Sequence, residues 1–139
     1  MVTAANRGKT AEGLARDAFT RLANSQTTYL YRFPDMRAGS MAPAIADFML
    51  LHQGNTYLIE VKETQHEFRL PHKNFETAQV ARMRMAQMAG AKCVVLVYHA
   101  TLKMWRGFNV EQFTEREGGS WDLRTTELST LEDIIKSYN

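Results

Sequence analysis

The sequence predicts an α/β fold, a mixed central β-sheet flanked by α-helices, and three observations carry that expectation. Apolar residues recur at helical spacing near both ends of the chain and again in its middle. The turn signal Gln53-Gly54-Asn55 joins two strand-like runs, and Cys93-Val94-Val95-Leu96-Val97-Tyr98 is an unbroken apolar, largely β-branched run. Helices interspersed with strands bury both only when the helices pack on the sheet.

In chain order, Leu14, Ala15, Ala18, Phe19 and Leu22 share one face of a helix over 10–24, capped near Thr10. Residues 28–33 read as a strand, and 34–43, with two prolines, Gly39 and Ser40, read as a loop. Strands over 46–52 and 56–62 form a hairpin about Gln53-Gly54-Asn55. A polar connection through Lys73 leads to a helix over 75–89 that Gly90 stops, with Met83, Met85 and Met88 as adaptable core. The run over 92–98 has no polar face, which predicts a strand buried on both sides. A short strand over 104–109 follows, whereas 114–126 is polar and shows no assigning periodicity. Ser129-x-x-Glu132 is a capping box, and Leu131, Ile134, Ile135 and Tyr138 line one face of the helix it opens.

A chain of 139 residues fits a single domain over 1–139 with one sizeable core. With 45% hydrophobic and 23% charged residues, three prolines and no repeat, disordered and solenoid classes are excluded. Cys93 has no second cysteine to pair with and reads as a small core residue. No stretch has the length of a membrane span or of a signal peptide's apolar segment, so the expectation is a soluble cytoplasmic protein. The net charge of +2 says little, but its distribution says more. The first forty residues carry Arg7, Lys9, Arg16, Arg21, Arg32 and Arg37 against Glu12, Asp17 and Asp35, whereas 41–70 hold more acids than bases. A basic surround about an acidic spot suits a metal-using enzyme that acts on a polyanion; a solvated mixed surface gives the same pattern.

The hairpin carries the chemistry. A two-residue turn at Gln53-Gly54, or a four-residue loop from His52 to Asn55, sets Asp47 opposite Glu60. Directly opposed side chains lie about 5 Å apart, and two like charges there repel. The period of two puts Leu58, Glu60 and Lys62 on one face of the second strand, for chemistry, and Tyr57, Ile59 and Val61 on the other, for core. Two carboxylates and an ammonium therefore converge, and hard oxygen ligands of this kind suit Mg²⁺, with Mn²⁺ as a substitute. The competing reading is an ordinary solvent-facing ion-pair cluster. Direct opposition of the two acids, with lysine two residues on, favours the metal.

Asp47, twelve residues, then Glu60-Val61-Lys62 resembles the PD-(D/E)xK nuclease signature. The stretch from Arg37-Ala38-Gly39-Ser40 through Asp47-Phe48 to Ile59-Glu60-Val61-Lys62 resembles the archaeal-type Holliday junction resolvases. Lys62-Glu63-Thr64, then Phe68-Arg69-Leu70-Pro71-His72-Lys73-Asn74 and Gln79, is similar to the RecU-type bacterial resolvases, and Asn6-Arg7-Gly8 with Glu12 to the amino-terminal motif of both groups. One departure is Ala46, where the pattern usually has proline. The resemblance implies a restriction-endonuclease-like sheet, with the metal on Asp47, Glu60 and the Val61 carbonyl and Glu12 contributing directly or through water. Lys62 would serve the attacking water, Gln79 would bind water or phosphate, and Ser40 would lie near the scissile phosphate.

Glu12 also reads as an acid near a helix amino terminus, Gln79 as a solvated helix residue and Ser40 as turn chemistry. Arg7, Lys9, Arg37, Arg69 and Lys73 are the candidate phosphate contacts. The four histidines show no metal-ligand spacing. The expected function is a structure-specific endonuclease that resolves four-way DNA junctions by symmetric metal-dependent hydrolysis, as a homodimer with the apolar faces of the first or last helix as candidate interfaces. The alternatives are a nuclease of the same fold acting on duplex, flaps or ends, and a non-catalytic junction-binding module.

Overall fold

The structure, a computed structural model, describes residues 4–23, 27–34 and 44–138, with side chains from residue 10 onward. Helix α1 spans Ala4–Leu22 and thus starts before the expected cap at Thr10. Its buried stripe is Ala11, Ala15, Ala18 and Phe19. Leu14, read as part of that stripe, is 42% exposed; the spacing of 4, 3 and 1 selects Ala11 instead.

Five strands make the main sheet in the order β1-β2-β3-β5-β6: β1 Thr28–Arg32, β2 Phe48–His52, β3 Asn55–Thr64, β5 Lys92–His99 and β6 Met104–Asn109. Neighbours are antiparallel except β3 and β5, which run parallel because α2, Thr77–Met88, crosses between them. The β2–β3 turn places Gln53 at φ 50° and Gly54 at φ 82°, the two positive values that a type I′ turn requires. That turn fixes Phe48 opposite Ile59 and Met49 opposite Leu58, the register read from the sequence.

Two cores sandwich the sheet. On one side α1 and α3, Leu131–Lys136, bury Phe19, Phe48, Tyr57, Ile59, Val61, Leu96, Ile135 and Tyr138. The apolar faces expected to offer a dimer surface are thus consumed within the chain. On the other side lie Leu58, Phe75, Val80, Met83, Cys93, Val95, Val97, Phe113, Trp121 and Leu123. The face of Leu58, Glu60 and Lys62, assigned to chemistry alone, is therefore half core, because α2 packs over it. The run over 92–98 is buried on both faces as expected. Met83 is core, but Met85 and Met88 are 70% and 87% exposed, since they point away from the sheet.

The segment without periodicity supplies β7, Ser120–Asp122, which pairs with β4, Arg69–Pro71, in a second, two-stranded sheet. Strands of three residues are too short to show alternation. The cap of α3 is Thr130, whose side chain accepts from the Asp133 N–H, while Ser129 bridges to Trp105. Among the described residues no helix is long and apolar enough to cross a membrane.

Phe19→Ala removes a fully buried ring that lies 6.2 Å from Phe48 and 6.4 Å from Tyr138, centroid to centroid. It is expected to cost about 3–5 kcal/mol in urea unfolding, whereas Leu14→Ala should stay within about 0.5 kcal/mol. Equal losses would overturn the assignment of the buried stripe.

Candidate metal centre and nucleic-acid cleft

Asp47 lies one residue before β2 and stays tied to both neighbours: its N–H donates to the Ile59 carbonyl at 3.1 Å and its carbonyl accepts from the Phe33 N–H at 2.9 Å. Its side chain replaces a strand contact. Asp47 Oδ2 accepts the Val61 N–H at 2.8 Å, a backbone donor that a continued β2 would have used. In an extended strand a residue's N–H and C=O share one edge. The Val61 carbonyl accordingly faces the edge on which Asp47 sits.

Glu60 is nearly fully buried. Its Oε2 lies 3.0 Å from Lys62 Nζ, and its Oε1 is buried with no hydrogen-bond partner. Lys62 Nζ also donates to Gln79 Oε1 at 3.5 Å and sits 4.7 Å from the centre of the Phe75 ring. The ammonium is thus held by a carboxylate, an amide and an aromatic face, with little freedom to leave the site. Burial first, then the charge of Glu60, pushes the Asp47 carboxyl up to about 8, against the Val61 N–H and Lys62, which favour the charged form; Glu12 adds a smaller upward push. When both carboxyls are ionised, one ammonium leaves a net negative charge that a cation, or a proton on Asp47, would neutralise.

The residues fit a hard divalent ion. Among the described residues no group of three or more His, Cys, Asp or Glu side chains is placed to hold a metal. The oxygen donors available are two carboxylates and the Val61 carbonyl, and water and phosphate would have to complete the shell of an ion held there. That is the usual composition for Mg²⁺ and differs from that of a closed structural zinc site.

Asp47, Glu60 and Lys62 line a cleft of about 350 Å³ together with Phe33, Ala46, Lys73, Asn74, Gln79 and Arg82, among others. The structure thus brings together Asp47, Glu60, Val61, Lys62, Gln79 and, at the mouth, Lys73. Glu12 stands beside them, its side chain 16% exposed and its Oε1 3.4 Å from Arg32 Nη2. Arg69 is placed elsewhere: it lies on β4 opposite Asp122, over the Phe68 ring at 5.1 Å, and does not line the cleft. Arg7 and Lys9 are on α1, with side chains outside the description, and Arg37 and Ser40 lie outside the described residues. Sequence reasoning missed Arg82, whose Nε is buried with no hydrogen-bond partner. The signal was available, since Gln79 and Arg82 are three apart on α2 and share a face.

No family model and no curated protein matches the chain. Among solved structures it is similar to Hjc, a Holliday junction resolvase from the archaeal hyperthermophile Archaeoglobus fulgidus. The TM-score is 0.58 at 17% identity, over 91% of this chain and 99% of that one. This likeness shows the fold, the mixed central sheet flanked by helices expected from the sequence.

A carboxyl raised from 3.8 to about 8 holds its proton in the folded chain at pH values where the unfolded chain has lost it. The folded state then binds more protons between those values, so this group's contribution to stability falls as pH rises through that window. In EDTA, Asp47→Asn should therefore melt several degrees above the parent at pH 8–9 and show little advantage near pH 4. Added Mg²⁺ should raise the parent's melting temperature at pH 8 and leave the variant's unchanged. A parent–variant difference independent of pH would refute the buried like-charge pair.

Proposed function

We propose that this chain is a Mg²⁺-dependent endonuclease that cuts branched DNA, with four-way junctions as its preferred substrate. The observation that carries the chemistry is the opposition of Asp47 and Glu60 beside Lys62, with Glu60 Oε1 buried and unsatisfied. The fold likeness to a junction resolvase supports the choice of substrate.

Asp47, Glu60 and the Val61 carbonyl would hold the metal, assisted by Glu12 directly or through water. When bound, the ion supplies Lewis-acid polarisation of the scissile phosphate and lowers the pKa of water, with Mn²⁺ able to replace Mg²⁺. The Val61 N–H fixes the Asp47 carboxylate, so its second oxygen is presented to the cleft. Lys62, anchored between Glu60 and Gln79, directs its ammonium at the attacking water or at the charge that develops on phosphorus. Gln79 orients water or phosphate, and Lys73 and Arg82 hold flanking phosphates without reading sequence. A four-way junction has two-fold symmetry, so a C2 homodimer would present two such clefts and nick two opposed strands.

Asp47→Ala is expected to abolish cleavage of a synthetic junction in Mg²⁺, and Lys62→Ala to slow it by about 10²–10³-fold, while electrophoretic mobility shows junction binding retained. Full activity in either variant would sink the mechanism. The substrate choice is decided by comparing the junction with a linear duplex of equal length. Two symmetric nicks in the junction alone support it, equal cutting of both assigns the chain to duplex or end cleavage, and binding without cleavage in Mg²⁺ or Mn²⁺ makes it a binding module. Arg82→Ala should weaken binding to junction and duplex alike and reduce the salt dependence of affinity by about one phosphate contact.

A further inference from the structure

The sheet face that carries the cleft is only partly covered. β1 is an edge strand, and its residues alternate between faces. Leu30 points to the α1 side, where it packs on the core, so Tyr29, Tyr31 and Phe33 point to the other. The strand registers extend this face into rows across the sheet: Tyr29 beside Leu51, Tyr31 beside Met49 and Leu58, and Phe33 beside Asp47 with Glu60 beyond. Successive rows lie about 7 Å apart, two strand residues. Phe33 lines the cleft, Tyr31 meets Phe33 edge to face at 5.2 Å, and Tyr29, Tyr31 and Leu51 are 58%, 41% and 40% exposed. An aromatic ladder therefore starts at the row of the metal centre and runs outward along the open face.

We infer that Tyr31 and Tyr29, continuing from Phe33, form a stacking platform for bases left unstacked at the branch point on the DNA strand whose phosphate enters the Asp47–Glu60 cleft. The inference rests on the nuclease reading and names a subsite for its substrate. Three features select this occupant. The platform is continuous with a cleft whose lining includes Lys62, Lys73 and Arg82, so charge for the backbone adjoins rings for the bases. The exposed residues that β1 presents on this face are tyrosines, which accept the π-face of any base without reading sequence. The area is small: three half-exposed side chains offer on the order of 250 Å², well short of the roughly 800 Å² per partner of a specific protein interface. In a continuous duplex the bases are stacked internally and offer no face to such a platform. A branch point, where bases splay, does.

The test is binding without cleavage. A four-way junction carrying 2-aminopurine beside the branch point, and a continuous duplex with the same base internal, are titrated with the full chain in EDTA for anisotropy and fluorescence. Tyr29→Ala and Tyr31→Ala change exposed positions and should leave the melting temperature within a degree or two. Each is expected to weaken junction binding about tenfold and to suppress the change in 2-aminopurine emission, with duplex binding unaltered. Tyr31→Phe should restore both, since the ring and not the hydroxyl carries the contact. Unchanged junction affinity in both alanine variants, or an equal loss on duplex, overturns the platform. So does conversion of a dimer to a monomer by light scattering, which would make the patch a self-association surface. If the nuclease reading alone fails, the junction stays uncut in Mg²⁺ while its affinity still depends on Tyr31. If the platform alone fails, cutting persists and the tyrosine variants bind as the parent does.

Discussion

Two carboxylates forced into opposition on an antiparallel strand pair are the constraint on which the site depends. The type I′ turn at Gln53-Gly54 sets the register of β2 and β3 up to Phe48 opposite Ile59, and Asp47, the next residue out, lies close enough to Glu60 for the two charges to act on each other. A slip of one residue would send Asp47 to the α1 core and leave Glu60 alone. Once opposed and buried, the pair is costly: desolvation penalises each charge, and each charge penalises the other. The neighbouring groups act on that cost. The Val61 N–H stabilises one Asp47 oxygen, and Lys62 neutralises one Glu60 oxygen. Glu60 Oε1 still lacks a partner, so the protein's own groups leave the pair incompletely satisfied. A polar site that the fold itself does not satisfy is one built for something that arrives.

The parts of this site that were legible in the sequence are those set by local geometry. Asp47, Glu60 and Lys62 lie on one hairpin, where turn length and strand period suffice to place them. Gln79 came only through resemblance, and Arg82 not at all, because they reach the cleft through the docking of α2, which no local pattern encodes. The same divide runs through the fold. The apolar strand β5 announced burial on both faces, whereas β3 showed alternating Leu58, Glu60 and Lys62 and concealed its second covered face. On α1 the choice between Leu14 and Ala11 depends on how closely the helix approaches the sheet; close approach selects the small side chain.

The stretch over 114–126 had no readable structure because its contacts are tertiary. Arg116 donates to the His72 carbonyl at 3.1 Å and to the Phe75 carbonyl, and its guanidinium lies 5.0 Å from the centre of the Trp121 ring. The His72 N–H is taken by the Gly119 carbonyl, and Trp121 donates to the Glu115 carbonyl. These bonds tie down the 3-10 turn His72–Asn74 from behind. That turn presents Lys73 and Asn74 to the cleft and delivers Phe75 to its place beside Lys62. A segment without pattern of its own thereby fixes one wall of the site.

Fold and site chemistry are separate observations. The likeness to a resolvase concerns the path of the backbone at 17% identity, and folds of one shape host many activities. The proximity of Asp47 and Glu60 concerns a few side chains and is independent of the path of the backbone elsewhere. What joins the two is the uneven covering of the sheet. α1 and α3 close one face, while on the other α2 packs against β5 and leaves tyrosines of β1 open to solvent. Among the described residues no helix covers this side of β1. A small molecule needs an enclosed pocket, but a long polyanion needs a charged notch at the end of an open surface. This sheet provides the second arrangement.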